Sequence, residues 1–359
     1  MGKWEFTGGQ KWEDDRFVPV SHHQIDIPGE EDKVIELSQD DLLVPGLIDF
    51  HCHPWAPGAL ADFSIADQFL ASVGTAAYID GGSFGYNGWE AGDRFWRATS
   101  VAGVRSLLNV RPEGFTVIPN PNPSRAEDIS LDRIVETVKR SGGRILGIKL
   151  ALGSALSKDD DEKLLELGRN AADKTGGILA VHITKTYHSL EEIASYLKPK
   201  DVLIHPFHGE RGSALREDGT YSNAMFTMKD AGITMDVSAG KSHFSWRVAK
   251  AAFSQGFRPD TISTDQIRLS WHGQSFRDLP HILSAFAAGL GMPLEDVFRA
   301  VITKPRQYLK IDLDYAENLV VLKKKEGKTE FLDSYGEAVA GDYEYLPVIV
   351  IRNGKVLVC

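Results

Sequence analysis

Residues 42–55, LLVPGLIDFHCHPW, set an apolar run, broken only by Pro45 and Gly46, directly against two histidines one residue apart. Such a run reads as a buried β-strand, and residues two apart on a strand share a face. His51 and His53 therefore point the same way at one strand end, the geometry of two nitrogen ligands on one metal ion. Cys52, between them, faces the other way and suits packing.

Working outward, one unit recurs from about Gly74 to Asp265: a short β-rich run, a polar loop, then an amphipathic stretch. The strand candidates are AAYIDGG (76–82), RSLLNV (105–110), ILGIKLAL (145–152), ILAVHITK (178–185), DVLIHPFHG (201–209), ITMDVSA (233–239) and DTISTDQ (260–266). With GLIDFHCH (46–53) they number eight. Helix candidates lie between them at 64–74, 130–142, 158–176, 189–197 and 245–256, with apolar residues at three- and four-residue spacing and several closing glycines. Strands alternating with helices pair in parallel, and eight such units close most simply into a (β/α)8, TIM-like barrel. Stretch 279–309 supplies its last helices. The barrel is expected over residues 45–313. The flanks, 1–44 and 314–359, lack the alternation and read as a small β-sandwich domain built from both chain ends. RNGK (352–355), between apolar runs, predicts a hairpin with a type I′ turn.

In a barrel of this kind chemistry sits at the C-terminal strand ends. The polar residues inside the strand candidates gather there: His51 and His53 on the first, His182 on the fifth, His205 on the sixth and Asp265 on the eighth. Lys149 lies between Ile148 and Leu150, where an ammonium would be buried at high cost. It can deprotonate, pair with a carboxylate such as Asp265, or be modified. A neutral amine reacts with carbon dioxide to give a carbamate, an anionic group able to bridge two cations. The set then reads His51, His53 and Asp265 on one metal ion, His182 and His205 on a second, and Lys149 across both. Any one of these histidines alone suits a hydrogen-bonded core position; their coincidence on strand ends is what points to metal. Imidazole with carboxylate suits Zn²⁺ first, and admits Mn²⁺, Co²⁺ or Fe²⁺. His208, His243 and His272 lie on loops near the same face and read as surface or supporting residues. Arg111, Lys185, Arg211 and Arg268 follow strands and are candidates for holding a substrate carboxylate; Trp55, Tyr86, Phe207 and Trp271 are candidate apolar walls.

The bulk properties agree. The 359 residues carry a net charge of -10 with scattered acids, which argues against a nucleic-acid partner. Two cysteines, Cys52 and Cys359, make no disulfide framework. No signal peptide or membrane-length apolar run is evident, so a cytoplasmic protein acting on a small molecule is expected.

With these residues in place, the sequence resembles the amidohydrolase superfamily. PGLIDFHCH is similar to its first-strand signature, and Lys149, His182, His205 and Asp265 follow in that family's order. GIKLALGS, HITKT, IHPFHGE and GFRPDTISTD are similar to a deacetylase group related to dihydroorotases and hydantoinases. The resemblance implies N6-carboxylation of Lys149, a pair of zinc ions, and frequent self-association. It implies hydrolysis, through a metal-bridging hydroxide, of an amide or ester bond of a small carboxylate, N- or O-acetyl first, with Asp265 as general base and then general acid. A cyclic amidohydrolase is the second reading, deamination the third, and a non-catalytic metal-binding scaffold the rival class. One departure stands out: DVSAGKSHFSW (236–246) has Ser238 and Ala239 where the family carries Gly-His.

Overall fold

A computed structural model describes every residue except 59–64, 117–119, 154–156, 268–275, 312, 314, 316 and 359. Four strands open the chain: β1 (Gly2–Glu13), β2 (Arg16–Pro19), β3 (His23–Ile27) and β4 (Lys33–Pro45). Seven parallel strands follow, β5 (Leu47–Cys52), β6 (Thr75–Asp80), β7 (Gly103–Asn109), β8 (Ile145–Ala151), β9 (Ile178–His182), β10 (Val202–Ile204) and β11 (Thr234–Asp236), each paired with the next in sequence order. The eighth unit behaves differently. Residues 260–266 make no ladder; two single bridges, Asp236 to Thr261 and Cys52 to Gln266, join them to β11 and β5. Backbone bonds from Asp265 N to His51 O (2.7 Å) and from His53 N to Gln266 O (3.2 Å) close the ring. The physical reason is local: Asp265 has φ of 46°, which interrupts extended pairing where the carboxylate turns inward.

The helices sit where apolar periodicity and capping chemistry place them. Ser130 caps Leu131–Arg140, Ser157 caps Lys158–Thr175, and Ser189 with Glu192 forms a reciprocal capping box on Leu190–Ala194. Gly176 ends the longest helix at φ of 67°, a conformation that a side chain would disfavour. The expected helical stretch 279–309 is present as Leu279–Ser284, Leu294–Phe298 and Lys304–Leu309, joined through widened turns at 285–289 and 299–303. Among the described residues no helix is long and apolar enough to cross a membrane.

Three more strands, β12 (Asn318–Leu332), β13 (Ala338–Arg352) and β14 (Lys355–Val358), join β1–β4 in a single seven-stranded mixed sheet drawn from both ends. Trp4, Phe6, Ile25, Ile27, Leu43, Leu319, Val321 and Ile351 form its apolar cluster. The hairpin at 352–355 has Asn353 and Gly354 at φ of 51° and 68°, the paired positive values of a type I′ turn.

The hairpin between β12 and β13 reaches the barrel mouth. Its turn, 333–337, is fastened to the loop after β11. Asp333, 1% exposed, accepts hydrogen bonds from Trp246 N (2.8 Å), Tyr335 N (2.8 Å) and Glu337 N (2.9 Å). Ser334 N donates to Phe244 O (3.1 Å), and the Ser334 hydroxyl accepts from Phe244 N (3.2 Å). The Tyr335 hydroxyl joins Gly209 N (3.1 Å) to Ser242 O (3.2 Å). Removing the Asp333 carboxylate leaves the buried Trp246 N–H and two part-buried N–H groups without this partner, at on the order of 2–4 kcal/mol. Asp333→Ala is therefore expected to lower the melting temperature markedly in a thermal unfolding scan; an unchanged transition would contradict this account of the junction.

Candidate metal centre

Each strand contributes its last residues to one end of the barrel. His51, His53 and Asp265 are all buried, and a ligand atom from each lies within 4.8 Å of the others. Asp265 Oδ1 is 3.3 Å from His53 Nε2 and 3.6 Å from His51 Nε2. His182, His205 and His243 form a second group under the same distance limit. Lys149 lies against the first, its Nζ 3.2 Å from His51 Nε2, and the His51 and His205 rings are 6.1 Å apart. Five expected ligands and the lysine thus converge, and His243 joins them.

The imidazoles are held by their other nitrogens. His53 Nδ1 pairs with the Ser83 hydroxyl at 2.8 Å, His205 Nδ1 donates to Ser238 O at 2.6 Å, and His243 Nδ1 pairs with the Thr184 hydroxyl at 3.0 Å. Tethers of this kind orient a metal-binding imidazole; Nε2 of His243 also meets the Ser242 hydroxyl at 3.3 Å. Backbone strain gathers at the same place: His205, Ser238 and Asp265 have φ of 69°, 43° and 46°. Left-handed backbone at non-glycine residues persists only where the surroundings enforce it, and it clusters at functional sites. Gly81 is a tight packing point, because a Cβ there would overlap His51 Nε2.

The electrostatics are those of a dry, charge-rich pocket. Burial holds His51, His182 and His205 well below the ordinary imidazole range, with Lys149 and neighbouring histidines adding to the effect, so these groups keep free lone pairs. Burial also pushes three strand carboxyls upward, Asp49 within β5 and Asp236 at the end of β11 to about 7, and Asp80 at the end of β6 to about 6. Asp236 Oδ2 is buried without a hydrogen-bond partner, 3.8 Å from His51 Nδ1. Burial lowers the Lys149 ammonium to about 8, against the opposing pull of Asp265, Asp236 and Asp80. Clustered imidazoles, the Asp265 carboxylate beside two of them and an easily deprotonated lysine fit divalent cations.

Known proteins resemble the chain in sequence and in fold. No family model matches the chain. A deacetylase of Brucella anthropi is 29% identical over 274 residues, 75% of this chain and 67% of that protein. The deacetylase Atu3266 of Agrobacterium fabrum is 29% identical over 274 residues, covering 75% and 66%. The alignment thus spans about two thirds of each relative's length. The structure of a dihydroorotase superposes with a TM-score of 0.83 at 24% identity, covering 99% of this chain and 98% of that one. An adenine deaminase superposes at 0.82 and 18% identity, covering 98% of both chains. An enamidase described as a member of the amidohydrolase superfamily superposes at 0.59 and 12% identity, covering 99% and 96%. The chain is similar in sequence to these deacetylases and shares the fold of these barrel structures.

The other residues singled out in the sequence fall in several places. Arg111 is buried, with its guanidinium on Asp160 (2.8 Å) and the Ser124 carbonyl. Arg211 donates to Lys185 O (2.6 Å) and Thr186 O (3.3 Å) and lies over the Tyr187 ring. Lys185 is more exposed and 3.9 Å from Glu210. Trp55 and Tyr86 pack edge-on to Phe95 and beneath Arg133, respectively. Phe207, expected as a wall of the mouth, is instead wholly buried in the core against Tyr221, Phe244, Phe253 and Phe257, because its position after β10 turns outward to the helices. His208 is buried, with Nδ1 accepting from Glu210 N at 3.3 Å. Arg268, Trp271 and His272 lie outside the described residues. Sequence reasoning passed over Asp80 and Asp236. Both are lone acids inside apolar runs, the same signal that singled out Lys149. Because Gly81 has no room for a side chain, Gly81→Ala should leave a cooperative fold but reduce the bound zinc measured after dialysis. Full retention of zinc would show that the close approach to His51 is incidental.

Proposed function

We propose that the enzyme is a binuclear metal-dependent hydrolase that cleaves an amide or ester bond, an N- or O-acetyl group first, of a small carboxylate. The observation that carries this reading is the convergence of His51, His53 and Asp265 with His182 and His205, with Lys149 at their junction. The name shared by the curated relatives supports the acyl group. The likeness to a dihydroorotase keeps a cyclic amide as the second substrate class. A lysine at the junction argues against a deaminase, for which a single ion without such a lysine suffices.

When bound, two divalent ions, zinc first, would supply Lewis-acid polarisation of the scissile carbonyl and acidify water. His51, His53 and Asp265 would hold one and His182 and His205 the other. The Lys149 amine, lowered to about 8 by burial, is available in neutral form to attack carbon dioxide. A nitrogen–carbon bond forms, one proton leaves, and the resulting carbamate, with one negative charge shared by two oxygens, would offer a ligand to both groups. Asp265 is fixed by its backbone bond to His51 O, with Oδ1 toward His51 and His53 and Oδ2 3.7 Å from His243 Nε2. In this reading its carboxylate takes the proton of the attacking water and returns it to the leaving nitrogen or oxygen. Lys185, at the rim, is the cation best placed to meet a substrate carboxylate.

Screening N-acetyl and O-acetyl carboxylates and cyclic ureides on zinc-loaded protein tests the substrate class. Turnover of none of them would contradict it. Asp265→Asn is expected to retain most of its zinc while losing on the order of 10²–10⁴ in kcat; wild-type turnover would remove Asp265 from the proton path. Lys149→Met removes a buried ammonium, so the metal-free variant should melt at or above the wild-type temperature while its zinc content falls. A variant that kept both ions would show that the lysine does not bridge them.

A further inference from the structure

The loop after β11 brings a residue to the centre that the ligand set above leaves unused. His243 is the second residue of that loop's SHF segment and reaches back across the barrel mouth. Its ring stacks on His205 with centroids 4.2 Å apart and planes at 27°, and it meets the His182 ring edge-on at 4.9 Å. We infer that His243 is a third imidazole ligand of the cation held by His182 and His205. The inference rests on the binuclear reading and adds a residue to it.

Three observations carry it. First, one ligand atom from each of the three histidines lies within 4.8 Å of the others, near the roughly 3.4 Å separation that tetrahedral coordination at ~2.1 Å imposes. Second, the tethers agree. His205 is tied by Nδ1 to Ser238 O, His182 has a backbone hydrogen bond at Thr184, and His243 is tied by Nδ1 to the Thr184 hydroxyl. Thr184 therefore orients two of the three rings, and Nε2 of His243 lies on the side of Asp265 at 3.7 Å, where the Ser242 hydroxyl, 3.3 Å away, is the partner a cation would displace. Third, the loop is held from outside the barrel. The Ser334 hydroxyl donates to Gly240 O at 3.2 Å and accepts from Phe244 N, while the Tyr335 hydroxyl donates to Ser242 O. Residues on both sides of His243 are thus pinned by the β12–β13 turn, which fixes the loop that carries the imidazole. Such preorganisation is what a ligand needs and a solvated loop histidine lacks.

The test is metal analysis of the whole chain, wild type beside His243→Ala and the closer-sized His243→Gln, together with visible spectra of the cobalt-substituted proteins. Wild type is expected to hold two ions. Both variants should keep the first and bind the second at least about tenfold more weakly, with a changed cobalt d–d band. X-ray absorption on the wild-type zinc protein provides a readout that no variant can confound: five imidazoles shared between two ions rather than four. Unchanged affinity and spectrum in the variants, or a count of four imidazoles, would overturn the assignment of His243 while leaving the binuclear reading intact. A wild-type protein holding a single ion in the His51 group would instead overturn the binuclear reading and this inference with it.

Discussion

An ammonium cannot sit in a dry barrel without company. Lys149 is 1% exposed, on the central strand of a parallel sheet, and the groups around it are of both signs: neutral imidazoles, and carboxyls that burial pushes toward their protonated forms. Taken alone, every one of these groups destabilises the fold, because desolvating a charge costs several kcal/mol that packing does not return. With cations among them, as proposed, the costs would offset: imidazoles would supply lone pairs and carboxylates would regain their charge. The barrel supplies the wall of dipoles and apolar side chains that keeps water from competing. The strained backbone at His205, Ser238 and Asp265 fits the same account, since strain of this kind needs surroundings that over-determine it.

The terminal sheet contributes to that over-determination. Its long β12–β13 hairpin spans from the sheet to the barrel mouth, and the turn at its tip holds the loop that carries His243. Asp333 satisfies three backbone donors at once and locks the first turn of the Trp246–Ser254 helix to that tip. The sheet is therefore part of the architecture of the site. A chain whose two ends meet beside a barrel can brace a loop from the side opposite its own strand.

Much of this was legible in the sequence, and the reasons differ from residue to residue. His51 and His53 announce themselves because a period of two on a strand leaves no other reading of their common face. Lys149 does so because its neighbours are apolar on both sides. The seven strands β5–β11 follow from alternation, and the Asn353–Gly354 turn from its chemistry. The eighth unit was legible as a segment but not as a ladder, since a left-handed Asp265 is a tertiary feature with no local signature. Phe207 was misplaced for a related reason: an aromatic after a strand can face the mouth or the helices, and only packing against Phe244 and Phe257 decides. His243 sits on a loop, where periodicity gives no direction. Its position is set by Thr184, 59 positions earlier, and by Ser334, about ninety later, through the neighbouring Phe244.

The most direct measurement is an anomalous difference map from crystals of zinc-loaded protein, collected on both sides of the zinc absorption edge. The account predicts two peaks at the C-terminal strand ends, one within bonding distance of His51, His53 and Asp265 and the other of His182 and His205, with density continuous from Lys149 between them. A map with no peak at this end of the barrel, from protein that binds zinc nowhere else, would contradict it.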